Sequence, residues 1–285
     1  ISQPITFYGW EKGQMRPTAQ HFEAYLQAVG ANAASIMPQV AIGQSRLEHV
    51  WEAQYRGSGR NAVKDRVRLS DLDADDLAWL ALREDLELTP EHYADKGVGR
   101  FIEVSDRLFT LLGFYVAEGS CSDRNGVRLS IGNSNQRFAT EMAGHITSVF
   151  GVAPKQTTID RSASELKLVN RVAALAWQQL FGFAGADSAS KRIPDLVFNA
   201  TESQRLAFLR GYLLGDGTVA SGNMSFATSS YDLASGIYAR LSALPGLHMR
   251  GLAVHIGSQL AKLEPMEAAF AKIGELMRAI REGTL

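Results

Sequence analysis

A single cysteine, Cys121, among 285 residues excludes an intrachain disulfide and any zinc site built from paired CxxC motifs. Long apolar runs are absent, and nothing approaches the ~20 residues a membrane-spanning helix needs. The six histidines, His21, His49, His92, His145, His248 and His255, fall at no metal-ligand spacing, so structural roles are expected for all of them. Nor does any base stand near Cys121 to activate it as a nucleophile. The start, Ile1-Ser2-Gln3-Pro4, lacks the basic and apolar regions of a secretory signal. A cytoplasmic location, nucleoid-associated if the source is prokaryotic, is therefore expected. The chain does have a 46% apolar composition, ample for the core of one large or two ordinary domains.

Net charge is also missing, at −1, but the average conceals an uneven distribution. Residues 71–95 hold nine acids against the single base Arg83, which leaves 28 bases and 21 acids elsewhere. Arg56, Arg60, Lys64, Arg66 and Arg68 lie close together around an Arg-Gly-Ser-Gly-Arg stretch. Basic surface is thus available locally for phosphates, while the pI of 6.7 excludes a uniformly cationic binder.

The first hundred residues read as a mainly helical extension. Thr18–Val29 forms a short helix closed by Gly30, and Ala31–Met37 a second helix ahead of Pro38. The spacing is loose for a helix-turn-helix, and packing or linking is the plainer role; an accessory DNA-binding element is the alternative. Ser70 is expected to cap an acidic helix, with Asp71 and Asp73 favouring its positive end. Asp76 stands where a calcium loop needs glycine, so that reading is dropped. Thr89-Pro90-Glu91 is expected to open a third helix, and Lys96-Gly97-Val98-Gly99-Arg100 to link the extension to the rest of the chain.

From about residue 101 the chain repeats itself. Arg128–Val152 aligns without gaps on Asn223–Leu247 at an offset of 95, matching Ser130 with Ser225, Ser134 with Ser229, Ala139 with Ala234 and Gly151 with Gly246. Each copy reads as a strand, a Ser-capped amphipathic helix, a glycine turn and another strand. A more apolar helix precedes each copy, Ser105–Glu118 in one and Thr201–Asp216 in the other. Thr201 and Gln204 make a capping box. Gly113 and Ala117 share one helix face, as do Gly211 and Gly215, and small-xxx-small faces let two backbones approach closely. If these faces meet, Glu118 and Asp216 arrive at the same point, with Gly119 and Gly217 turning the chain away.

Those two segments, Leu111-Leu112-Gly113-Phe114-Tyr115-Val116-Ala117-Glu118-Gly119 and Leu209-Arg210-Gly211-Tyr212-Leu213-Leu214-Gly215-Asp216-Gly217, resemble the paired signature of the LAGLIDADG homing endonucleases. Lys191-Arg192-Ile193-Pro194 is similar to the Lys-x-Ile-Pro block of intein-borne members. The resemblance covers about residues 101–285. It implies an α+β fold, a pseudo-twofold pair of αββαββα repeats at about 101–190 and 191–285, behind the N-terminal extension 1–100. It also implies an endonuclease that makes double-strand breaks in a long DNA target and acts as a monomer, because one chain carries both motifs. Two or three divalent ions, Mg²⁺ by the hardness of oxygen ligands, would be bound by Glu118 and Asp216 with Ala117 and Gly215 beside them. Lys191 would be the basic residue that assists the water or the phosphate charge. Arg128, Ser130, Lys155, Lys167, Asn223, Ser225 and Arg250 would face DNA from the strands. Alternation agrees for the first copy, since Val127, Leu129 and Ile131 would point to the core and Arg128 and Ser130 away from it.

This sequence departs from the family pattern in carrying Glu118 where aspartate is commoner. The second copy is short after Leu247, which leaves Lys262 as the candidate for a second catalytic lysine. The splicing residues of a complete intein are absent, so the first hundred residues read at most as an intein remnant. A non-cleaving DNA-binding regulator or an intron RNA maturase on the same scaffold is the alternative; loss of an acid would favour it, and both acids are present. Glycoside hydrolysis by the two carboxylates would require an aromatic-lined cleft, and no Trp or Tyr cluster surrounds them in sequence.

Overall fold

A computed structural model describes residues 7–8, 11–12, 19–40, 67–84, 86–90, 97–123, 126–159, 163–185, 187–238, 244–248, 250–253 and 262–282. The chain divides into two compact units, Ile1–Glu84 and Asp85–Leu285.

In the first unit, α1 (Ala19–Ala28) and α2 (Ala33–Val40) follow one another, and Leu26 is buried. The second of these helices continues past Pro38 instead of stopping before it. The acidic helix α3 (Ala74–Ala81) is capped by Asp73, not Ser70: the Asp73 carboxylate accepts from the Asp76 N–H at 2.8 Å, and Asp76 reciprocates. Ser70 lies in a separate 3₁₀ turn, Leu69–Asp71. The Arg56–Arg66 part of the basic cluster and the helix expected after Thr89-Pro90 lie outside the described residues.

The second unit opens with a small antiparallel pair, β1 (Glu87–Leu88) and β2 (Val98–Gly99). Val98, expected in a linker, is buried in the unit's core. The first repeat then runs α4 (Asp106–Glu118), β3 (Gly119–Ser122), β4 (Gly126–Gly132), α5 (Ala139–Phe150), β5 (Lys155–Thr158), β6 (Ala163–Leu168) and α6 (Arg171–Leu180). This is the αββαββα order. Its strands form one antiparallel sheet in the order β3-β4-β6-β5. Gly151, at φ +70°, ends α5 in the left-handed conformation that favours glycine. The expected serine cap is absent: α5 starts after a 3₁₀ turn, Asn133–Phe138, with Phe138 at the cap position.

A short helix, α7 (Asp195–Phe198), leads into α8 (Glu202–Asp216), β7 (Gly217–Ala220), β8 (Asn223–Phe226), α9 (Tyr231–Gly236) and α10 (Glu264–Glu282). The second repeat thus reproduces the helix, hairpin and helix of the first. The cap of α9 is Ser230, whose hydroxyl accepts from Leu233 N–H; the expected Ser229 instead donates to the Ser188 carbonyl. The α+β architecture expected from the sequence is the one observed.

Helix α4 is apolar all round, and the reason is its position. Leu108 to Val116 are all buried, as a helix enclosed by its own domain must be. One side packs on α8 and another on α5 and the sheet. Behind it, Tyr115, Trp177, Phe181 and Phe183 form an aromatic cluster, with Tyr115 4.5 Å from Phe183 and 5.1 Å from Trp177 between ring centroids.

Candidate active site

The geometry of the site begins with glycine. A Cβ on Gly113 would collide with the Phe208 carbonyl and lie 2.8 Å from the Tyr212 nitrogen; one on Gly211 would collide with the Thr110 carbonyl and lie 2.9 Å from the Phe114 nitrogen. The contact is reciprocal, and only hydrogen side chains admit it. Farther along, a Cβ on Gly215 would strike Ala117 Cβ and come within 3.0 Å of Glu118 Cγ. At the other end, Ser203 donates to the Asp106 carboxylate at 3.0 Å and Gln204 to the Val104 carbonyl at 2.9 Å. The helices α4 and α8 therefore run parallel, tied at their N-termini and pressed together down to their C-termini. The capping box on Thr201 is formed as expected. Ser105 occupies the cap position of α4 without a side-chain bond.

Glu118 and Asp216 are the last residues of the two helices. Burial raises the Glu118 carboxyl, and the nearby Asp216 charge raises it further, while Lys191 opposes both. Asp216 is likewise raised by burial and lowered by Lys191. Two partly desolvated carboxylates thus share one site at the negative ends of two helix dipoles. The glycines after them do not supply a left-handed turn. Gly119 (φ −94°) and Gly217 (φ −95°) are extended and enter β3 and β7 directly. Glycine is needed there for space: a Cβ would meet the Tyr115 ring in one case and Leu213 Cα at 2.5 Å in the other.

Lys191 reaches this point from the loop before α7. It is 6% exposed, and its Nζ donates to the carbonyls of Tyr115 (3.2 Å) and Val116 (3.1 Å), at the end of α4. The ammonium also lies 5.4 Å from the Tyr115 ring centroid. Burial lowers the Lys191 pKa, and Asp216 and Glu118 raise it. One cation thus stands against two acids. The alternation of buried Lys191, exposed Arg192 and buried Ile193 shows why the Lys-x-Ile-Pro block has its form.

Two participants were missed in the sequence. Asn135 Nδ2 donates to the Gly215 carbonyl at 3.4 Å, joining the first repeat to the end of α8. Ser230, 2% exposed, donates to the Lys191 carbonyl at 2.5 Å. Asn135 and Ser230 are equivalent at the repeat offset of 95, which was the signal available. The carbonyls of the final turns have no partner within their helices, so Ala117 and Gly215 offer oxygen beside the acids. The donor set is then all oxygen, which suits a hard divalent cation. Among the described residues no group of three or more His, Cys, Asp or Glu is placed to hold a metal ion. Lys262 is exposed ahead of α10. The Cys121 thiol, pushed up to about 11 mainly by burial, directs its weak bond to the Ala174 carbonyl.

The strand residues divide by face. Register pairs Ser120 with Arg128, Arg128 with Lys167, Ser130 with Glu165, and Lys155 with Lys167. Paired residues of an antiparallel sheet share a face, so Arg128, Ser130, Lys155 and Lys167 stand together, with Ser120, Thr157 and Glu165 added by the register. Val127, Leu129, Ile131, Leu166 and Leu168 are buried on the other face. In β7–β8, Asn223 and Ser225 share a face with Thr218. Arg250 is exposed like its repeat mate Lys155, but unlike Lys155 it lies in no strand.

Residues 203–244 match a LAGLIDADG-like domain. The chain is similar to a DNA polymerase of Thermococcus hydrothermalis, with 28% identity over 260 residues, 82% of this chain and 14% of the polymerase. A DNA polymerase of Thermococcus sp. strain GE8 is 30% identical over 151 residues, 50% of this chain and 8% of that protein. An uncharacterized protein of Methanocaldococcus jannaschii is 24% identical over 157 residues, 54% of this chain and 19% of its own length. The chain thus spans under a fifth of each of these relatives.

Proposed function

We propose, for a chain whose residues 203–244 match a LAGLIDADG-like domain, a site-specific homing endonuclease of that family that makes double-strand breaks in a long DNA target by divalent-cation-assisted phosphodiester hydrolysis. The observation that carries this reading is the delivery of Glu118 and Asp216 to one place by two parallel helices that touch through glycine. Each carboxylate would serve one strand of the duplex, with the Ala117 and Gly215 carbonyls completing an oxygen cradle. Cations bound there, Mg²⁺ by ligand hardness, would polarise the scissile phosphates and assist deprotonation of the attacking water. Lys191, held by two helix-end carbonyls, places a positive charge beside the acids and offsets the charge gathered on the phosphate. Asn135 and Ser230 fix the Gly215 carbonyl and the Lys191 backbone.

The polar sheet faces would lie in the major groove, with Arg128, Ser130, Lys155 and Lys167 from one repeat and Asn223 and Ser225 from the other. Arg250, outside any strand, suits a phosphate contact better than base reading. Because both half-sites are covered by one chain, the active form is a monomer. The match of most of this chain to a small portion of a DNA polymerase fits an endonuclease carried within a longer, intein-bearing chain.

The test is incubation of the protein with a random duplex library and Mg²⁺, then sequencing of the cut ends. A defined site cut on both strands supports the reading. Glu118→Gln and Asp216→Asn should each lower double-strand cleavage by at least ~100-fold, beyond the loss typical of an outer-shell partner, while specific binding persists. Full double-strand cleavage by both variants would remove these acids from the mechanism.

A further inference from the structure

The Glu165 side chain is only 3% exposed although it stands on the sheet face that also carries the bases. A negative charge there opposes phosphate binding, and a buried one is costly unless paired. Glu165 is paired twice. Its Oε1 accepts from Nε of Arg128 and forms the ion pair with the Nη2 of the same guanidinium. Its Oε2 lies 2.7 Å from Lys167 Nζ. Both cations are about one-third exposed, at 34% and 33%. Burial is the largest single influence and raises the Glu165 carboxyl, but the bonds and charges of Lys167 and Arg128 together outweigh it and hold the group below its ordinary range.

The way Arg128 is held matters more than the charge count. Guanidinium carries five N–H donors in a planar fork. The carboxylate takes the side edge, Nε with Nη2, and leaves the end edge, Nη1 with the second N–H of Nη2. That end edge is the pair of parallel donors that matches O6 and N7 of guanine. Lys167 likewise keeps two of its three N–H groups. An arginine without such a clamp is free to turn to any nearby phosphate, which carries no sequence information.

We infer that Glu165 is a specificity-determining positioning residue: it clamps Arg128 and Lys167 so that they read base edges, and it restrains both from binding phosphate indiscriminately. The inference rests on the reading of this sheet as the DNA-binding face. Glu165 itself needs no contact with DNA. In Glu165→Gln the amide would turn N–H donors toward one of two cations, and the clamp would fail.

The experiment measures binding in Ca²⁺, without cleavage, to the duplex selected from the random library, to its single-base variants and to a 40-base-pair random duplex, over several salt concentrations. Arg128→Ala first locates the base pair that depends on Arg128. Glu165→Gln should then lose discrimination at that same base pair by roughly ten-fold, with preference elsewhere retained. Affinity for the random duplex should rise, and the salt slope should steepen by about 0.9 for each new phosphate contact. Glu165→Asp keeps the charge and the fold but is one methylene shorter, so discrimination falls at the same position by a smaller factor. A merely structural role would weaken all positions together. Should the Gln variant fail to fold by circular dichroism, the Asp variant decides. Wild-type discrimination in a folded Glu165 variant overturns the clamp. If Arg128→Ala and Lys167→Ala change neither affinity nor slope, the sheet is not the DNA face and the clamp is overturned with it, whereas cleavage of the random library tests the proposed function separately.

Discussion

The two repeats share a plan and differ in substance. In the first, a four-stranded sheet closes over α4, and Tyr115, Phe150, Trp177, Phe181 and Phe183 fill the space behind it. In the second, the described sheet is the hairpin β7–β8; Phe226 touches the Tyr212 ring at 5.5 Å between centroids, while Val219 is 67% and Met224 44% exposed. Of the long helix α10, Leu276 is the buried residue, and Phe270 is 61% exposed. The helix pair is nonetheless symmetric at its closest approach, Gly113 answering Gly211, with Ala117 standing against Gly215 farther along. Among the described residues, symmetry is thus kept where the two backbones meet and the two acids end their helices, and is relaxed in the side chains packed around them.

That comparison makes quantitative claims. Trp177→Ala should cost ~3–5 kcal/mol, the range for a fully buried large aromatic. Phe226→Ala, at a half-buried position, should cost about half as much. Chemical denaturation of both variants checks the difference, and equal losses would mean that the second core is as solid as the first. Next in size, Gly113→Ala and Gly211→Ala should each destabilise by ~1–3 kcal/mol through overpacking, and by similar amounts, because each methyl meets the other helix's backbone. A marked inequality in their thermal shifts would break the reciprocity.

The helix starts differ in the opposite sense, since here the second repeat is better made. Thr201→Ala removes the hydroxyl that accepts from the Gln204 N–H in the capping box, while the backbone half survives, and should cost about 1 kcal/mol, whereas Ser105→Ala should be near neutral because Ser105 makes no side-chain cap bond. Parallel urea titrations decide it.

The smallest expected effect concerns a bridge between the copies. Arg210 of α8 pairs with Glu141 of α5 at 2.7 Å, and His145 also faces this carboxylate. The Glu141 carboxyl is held low, with the Arg210 hydrogen bond as the main cause. A depressed acid contributes stability above its unfolded pKa, about 4.3, and loses it as pH falls through the folded value. Because the pair is exposed, under ~1 kcal/mol is at stake. Wild type should therefore lose its small advantage over Glu141→Gln below about pH 4.3, as measured by stability curves at several pH values.

Local signals made part of this legible in advance. Glycine spacing and terminal acids lie within single helices, so Gly113, Gly211, Glu118 and Asp216 could be read directly, and alternation along β4 placed Arg128 and Ser130. What required the folded chain was register and reach. Glu165 meets Arg128 only because β6 pairs with β4 across the intervening α5 and β5. The choice of Asp73 over Ser70 depended on where a helix begins after a 3₁₀ turn. The glycines after the acids looked like left-handed caps; in the structure they are extended, and a ring or a backbone atom occupies the space a side chain would need.

The reciprocal contact of α4 and α8 separates two kinds of inheritance. Where main chain rests on main chain, the spacing of the helix ends does not depend on which larger side chains surround it, so drift in either core leaves the acids where they are. Substitutions on the strand faces change what the surface fits, and the helix pair has no reason to track them. A scaffold divided in this way lets its strand faces change side chain by side chain while the spacing of the two helix ends holds.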